Sequence, residues 1–293
     1  MGLSKYKGTG VALITPFDQH GAIDYKGLLN LLNYTADNGV DYWVVQGTTG
    51  ESPTVTSKEK KKLLQFVIDH NPKKLPIVYG IGSNDTAQAL ETIDHTNFEG
   101  IDAILSASPY YNKPTQAGIV RHYELIADAS PVPVILYNVP GRTASNIRAE
   151  TTLALANHAN IIGIKEASGD IEQVMKIISA MPKDFFLTSG DDMLTVSLMA
   201  IGAIGTISVL ANGLPEIFSK LVNSCLKNDF QTASKLAFSL LDVNTLMYEE
   251  SNPVGIKEVL SQRTMCANHV RLPLLPPSNE LQEKIKVALE SLK

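Results

Sequence analysis

Short runs of nearly uninterrupted apolar residues recur along the chain, each ending in small or polar residues and each followed by an amphipathic stretch. Eight such runs are found, at 10–14, 42–46, 77–81, 103–107, 134–137, 161–164, 185–188 and 204–208. Continuous apolarity, as opposed to strict alternation, is what a parallel strand buried on both faces requires. The stretches 24–38, 57–70, 85–98, 115–129, 149–156, 170–181 and 193–200 have helical periodicity. Ser57 and Asp170 stand where N-caps belong, with Glu59 close to a capping-box position. Eight strand–helix units imply either a closed parallel barrel or a long open doubly wound sheet. The barrel is favoured because eight units close it and because no Gly-rich dinucleotide fingerprint follows the first strand. The glycines at 80 and 82 lack a third partner and read as a turn. The expected fold class is therefore α/β, a (β/α)₈ TIM barrel with a C-terminal helical appendage. Past Pro215 the strand signal stops and 216–226, 230–249, 253–261 and 280–292 read as helices. The expected division is a catalytic barrel over 1–214 and a helical extension over 215–293, packed on the barrel.

Bulk properties narrow the class. A barrel of this kind takes about 200–250 residues and leaves room for an appendage, and this chain has 293. Its 44% apolar and 19% charged residues are the balance of a soluble globular protein. The net charge of −5 and scattered basic residues argue against nucleic-acid binding, and the run Lys60-Lys61-Lys62 reads as the solvated face of a helix. No segment has the length of a membrane span and the start lacks a signal peptide, so a cytoplasmic location is expected. Cys225 and Cys266, both placed in helical segments without CxxC spacing, are expected to be reduced thiols.

Active sites of such barrels are built at the C-terminal ends of the strands. Those ends carry Gln46-Gly47-Thr48-Thr49-Gly50-Glu51-Ser52, Pro109-Tyr110-Tyr111-Asn112, Tyr137-Asn138-Val139-Pro140-Gly141-Arg142-Thr143, Lys165-Glu166 and Ser189-Gly190-Asp191-Asp192. Lys165 is the sharpest feature, since it closes the run Ile161-Ile162-Gly163-Ile164 and is the one lysine to end a run. In an apolar barrel mouth desolvation disfavours an ammonium. A neutral amine there attacks a ketone to give an imine, which makes the adjacent methyl acidic and lets the derived enamine attack an aldehyde. The plainer alternative is a strand-end ion pair with Glu166. Tyr137 ends the fifth run and suits a proton shuttle, or else a half-buried packing role. Thr48 and Thr49 sit in a glycine-flanked turn whose hydroxyls and N–H groups hold a carboxylate or pass a proton; the alternative is an ordinary βα turn. It is no phosphate loop, because the Gly-Lys-Ser/Thr ending is missing. Arg142, held by the Pro140-Gly141 bend, is placed to clamp a carboxylate, or is a surface arginine. The six histidines show no paired ligand spacing, and no metal site is expected.

At these residues the sequence resembles the dihydrodipicolinate synthase family, within the pyruvate-dependent superfamily that also includes N-acetylneuraminate lyase. The likeness runs from about Gly8 to about Pro276 and is carried by GVALITPF, GTTGES, SPYYNKPTQ, LYNVPGRT, IIGIKEASG, SGDD, GTISVLAN and NPVGIK. The resemblance implies that Lys165 forms a Schiff base with pyruvate. It makes Tyr137, Thr49 and Tyr111 a proton relay, with Tyr111 reaching into a neighbouring subunit's site. It implies that Thr48 and Thr49 hold the pyruvate carboxylate, that Arg142 holds the carboxylate of L-aspartate 4-semialdehyde, and that backbone near Gly190 and Ile207 lines the pocket. The implied reaction condenses these two substrates on the route to diaminopimelate and lysine, with no cofactor, in a homotetramer built as a dimer of dimers.

Lysine-inhibited members of the family carry a feedback site at a subunit interface, and Ser52, Gly82, Asn84 and Tyr110 match its pattern. Ser57, Lys60 and Gln88 stand where sensitive enzymes have histidines and a glutamate, so weak or absent inhibition is expected. N-acetylneuraminate lyase or a keto-sugar-acid aldolase is the rival within the superfamily. Such aldolases usually have serine for the first threonine and lack an arginine at the position of Arg142. A barrel that has lost catalysis and binds or regulates is the reading from another class, and the full relay argues against it.

Overall fold

The computed structural model describes residues 3–292. Its strands are β1 (Gly8–Ala12), β2 (Tyr42–Val45), β3 (Ile77–Gly80), β4 (Ala103–Ala107), β5 (Val134–Asn138), β6 (Ile161–Glu166), β7 (Phe186–Ser189) and β8 (Gly205–Ser208). Each pairs in parallel with the next, and β8 returns to β1 to close the barrel. The continuous apolar runs are explained by two buried faces. Tyr42, Val44, Val78, Leu105, Ile135 and Phe186 fill the interior, while Trp43, Val45, Ile104, Leu136, Ile164 and Leu187 pack outward against the helices. Gly163 is needed for that filling, because a Cβ there would lie 2.7 Å from the Phe186 ring.

Most strand ends lie within one residue of the sequence reading, and the larger departures, of two residues, are at β1 and β6. β1 starts at Gly8 and not at residue 10, because Gly8 and Thr9 pair with Gly205 and Thr206. Its apolar tail at Leu13 and Ile14 is buried without being strand, and the Ile14 N–H is taken by the Asn212 side chain at 3.1 Å. β6 runs two residues past the apolar run, since Lys165 and Glu166 pair with Tyr137 and Asn138 on one side and Thr188 and Ser189 on the other.

Helices fill each crossover, and five of them start on a side-chain cap, at Asp24, Thr56, Asp85, Thr115 and Asp170. Asp170 caps the helix Ile171–Ala180 as expected, accepting from the Gln173 N–H. At Ser57–Asp69 the cap is Thr56, and Ser57 is the first helical residue; Thr56 and Glu59 complete a capping box. In that helix Lys61 and Lys62 are exposed, whereas Lys60 is half-buried.

After β8 the chain is helical: Pro215–Leu226, Phe230–Ser239, Leu241–Glu249, Val254–Gln262 and Asn279–Glu290. The expected single helix over 230–249 is two, divided at the fully buried Leu240. The first half packs on Pro215–Leu226 and the second on Val254–Gln262 and Asn279–Glu290, so the chain must bend to bury both apolar stripes. Both cysteines are free; Cys225 is buried in a helix, but Cys266 lies beyond the end of Val254–Gln262, in a bend. Among the described residues no helix is long and apolar enough to cross a membrane.

Candidate active site

Strand pleating decides which of two adjacent side chains enters the barrel. Tyr137 belongs to the interior cluster with Ile207, and its register partner Lys165 faces the same way. The Lys165 amine stands 4.5 Å above the centre of the Tyr137 ring, and the residue is 5% exposed. Glu166 turns to the opposite face. Its carboxylate accepts from Asn138 Nδ2 at 3.0 and 3.1 Å, the Ser168 N–H at 2.7 Å and Gln173 Nε2 at 3.1 Å. That network disposes of the ion pair between the two neighbours, and burial raises the Glu166 carboxyl above its ordinary pKa, against the pull of its amide donors.

Gly190 makes the room for the amine. A Cβ at this position would come 2.9 Å from Lys165 Cε, 3.0 Å from Cγ and 2.8 Å from Ala167 Cβ. Beyond it, Asp192 is buried and accepts from the backbone N–H groups of Val209 and Leu210 at 3.0 and 2.8 Å. Burial pushes this carboxyl up to about 6.

The threonine turn lies at the same end of the barrel, after β2. Thr48 is half-buried and Thr49 buried. The turn is bracketed by two non-glycine residues in left-handed conformation, Gln46 with φ 61° and Glu51 with φ 52°. Arg142 sits on the helical turn Pro140–Thr143 after β5 and is exposed, so its guanidinium is open to a ligand and to solvent. Tyr111 is not brought into this chain's own site: it is 87% exposed, with φ 72°.

Three side chains of the C-terminal helical part reach the site region and were not singled out from the sequence. Asn252 donates through Nδ2 to Thr49 Oγ1 at 3.1 Å, while its buried Oδ1 has no partner among the described residues. Lys257 pairs with Glu51 at 2.5 Å. Tyr248 lies in the electrostatic reach of Asp192, Asp191, Tyr137 and Arg142; burial, with the acidic neighbours second, raises its phenol pKa, although the residue keeps part of its surface exposed. The motif NPVGIK marked this segment, but separations of 203 and 206 residues from the partners leave no local signal of what it touches. Among the described residues no group of three His, Cys, Asp or Glu side chains is arranged to hold a metal ion.

Comparison with known proteins gives one consistent answer. The model of the dihydrodipicolinate synthetase family matches residues 5–292. The 4-hydroxy-tetrahydrodipicolinate synthase of Cytophaga hutchinsonii is 48% identical over 97% of this chain and 95% of its own. That of Flavobacterium psychrophilum is 44% identical over 99% of each chain. Among solved structures, the chloride-inhibited dihydrodipicolinate synthase of Acinetobacter baumannii, complexed with pyruvate, superposes with a TM-score of 0.94 at 36% identity, over 98% of both chains. A match that runs almost end to end, on an eight-stranded barrel with a buried lysine at the mouth, means that this chain belongs to the dihydrodipicolinate synthetase family.

Proposed function

We propose that the chain is a 4-hydroxy-tetrahydrodipicolinate synthase, a lyase that condenses pyruvate with L-aspartate 4-semialdehyde without a cofactor. The observation that carries this reading is the Lys165 amine, buried on the inner face of β6 and 4.5 Å from the Tyr137 ring centre, with Glu166 turned away. The amine adds to the keto carbon of pyruvate, water leaves, and the imine draws electrons so that a methyl proton departs and an enamine forms. The enamine carbon attacks the aldehyde, and the amine of the semialdehyde then displaces Lys165 as the ring closes. Tyr137, with Thr49 and Tyr111, moves the protons. Thr48 and Thr49 seat the pyruvate carboxylate, backbone near Gly190 and Ile207 lines the pocket, and Arg142 receives the carboxylate of the second substrate. Because Tyr111 stands clear of its own chain, the relay is completed by a second subunit, in a homotetramer made of two dimers. The enzyme works in the cytoplasm. Inhibition by L-lysine is weak or absent, since Gln88 is neutral and its Oε1 already accepts from the Ser83 hydroxyl at 2.6 Å.

Incubation with pyruvate and borohydride tests the reading: a reduced pyruvyl adduct is expected on Lys165. Condensation of pyruvate with L-aspartate 4-semialdehyde, measured beside cleavage of N-acetylneuraminate, decides the substrate. An unlabelled Lys165, or turnover of the sugar acid alone, defeats the assignment.

A further inference from the structure

Lys257 is surrounded by apolar Val254, Ile256, Val259 and Leu260 on the helix Val254–Gln262, and it is 0% exposed. Its ammonium donates to Glu51 Oε1 at 2.5 Å and to the His269 carbonyl at 2.7 Å. Glu51 Oε2 accepts the Arg271 N–H at 3.0 Å. The Phe17 ring lies 4.2 Å from Lys257 Nζ and 4.3 Å from the Arg271 guanidinium. Taking both charges out of water offsets most of their attraction, so a buried pair of this kind adds little net stability. What it secures is geometry.

Glu51 ends the turn that carries Thr48 and Thr49, and both ends of that turn are left-handed at residues other than glycine. Each such conformation is strained and persists only where its surroundings over-determine it. Thr15 secures the first end, accepting from Gln46 Nε2 at 3.1 Å and donating to the Gly50 carbonyl at 2.7 Å, while the supports of the second come from the far end of the chain, Lys257 and Arg271 on Glu51 and Asn252 on Thr49. We propose that Lys257 is a positioning residue: acting through Glu51, it holds the 46–51 turn in the shape that presents the Thr48 and Thr49 hydroxyls and N–H groups to a keto-acid carboxylate. This rests on the function proposed above, and it assigns to the helical part a share in seating the first substrate.

The test is a cycle of Lys257→Met, Glu51→Gln and the double variant, read in folded protein well below its thermal midpoint. The readouts are the pyruvate concentration for half-maximal borohydride trapping on Lys165 and the KM for each substrate. Each single variant is expected to raise the pyruvate requirement about tenfold or more, with the semialdehyde KM moving less than about twofold. The double variant should be no worse than the poorer single, because Lys257 reaches the 46–51 turn only through Glu51. A folded Lys257→Met enzyme with wild-type pyruvate dependence overturns the proposal, as do effects that multiply in the double variant. Should Lys257→Met fail to fold, Glu51→Gln decides by itself, and unchanged pyruvate dependence there rejects the idea. A wild-type chain that traps no pyruvate removes the reading underneath, and is recognised before any variant is made.

Discussion

At residue 165 the strand turns its side chain into the barrel and at 166 out of it, and this single alternation separates an amine able to meet a ketone from a carboxylate locked among amides. Lys165 was legible because it interrupts apolarity at a strand end, where a parallel barrel gathers its chemistry. Gly190 was legible only as a position near the pocket, since its service to Lys165 depends on which strand lies beside it. A Gly190→Ala variant places a methyl 2.9 Å from Lys165 Cε and must displace the amine. Its kcat and its rate of borohydride trapping are expected to fall about a hundredfold, with a stability loss of only about 1–3 kcal/mol; stopped-flow trapping and urea denaturation measure the two. Equal rates in variant and wild type would show that the amine has slack. Tyr137→Phe is expected to lose about 10²–10⁴-fold in kcat while binding pyruvate nearly as well, and steady-state kinetics distinguish this from a packing defect, which lowers the thermal midpoint instead.

Among the elements, the strands were readable because burial on two faces leaves a continuous apolar signature, and the helices because burial on one face leaves a periodic one. Where the reading slipped, the cause was tertiary. β1 begins early because β8 offers it partners, and the helix over 230–249 breaks at Leu240 without a glycine or proline, to serve neighbours on two sides. The loop after β7 makes a testable contribution through Asp192, whose carboxyl burial raises from 3.8 to about 6. A carboxyl with a native pKa above its unfolded one is bound more tightly to its proton in the fold. Its contribution is therefore complete below about pH 4 and is lost as the pH climbs to about 6. Relative to Asp192→Asn, the wild type is expected to lose roughly 3 kcal/mol of stability across that window, as urea denaturation at a series of pH values will show. Parallel curves for the two proteins would mean that the carboxyl titrates normally.

For the whole molecule, the barrel and its helical tail could be foreseen, but not that they meet at the threonine turn, because Glu51 and Lys257 are 206 residues apart. Tyr111 also needs the larger scale. With 87% of its surface open and a left-handed backbone, it has no work within its own chain, and the proposed assembly gives it some. Lys165→Met and Tyr111→Ala chains should each be nearly inactive alone. Co-expressed, they should recover up to about a quarter of wild-type activity, because half the pairs are mixed and each mixed pair has one complete site. No recovery, with mixed pairs confirmed by native mass spectrometry, would place Tyr111 outside the relay. The order of parts along the chain has its own outcome during synthesis. A ribosome delivers the amine at residue 165 and the last strand at Ser208, yet Asn252 and Lys257, which grip the 46–51 turn, emerge afterwards. On the roles proposed above, nascent chains thus carry the Lys165 amine with no finished seat for an acid beside it, and the catalyst stays dormant until its own translation is nearly over.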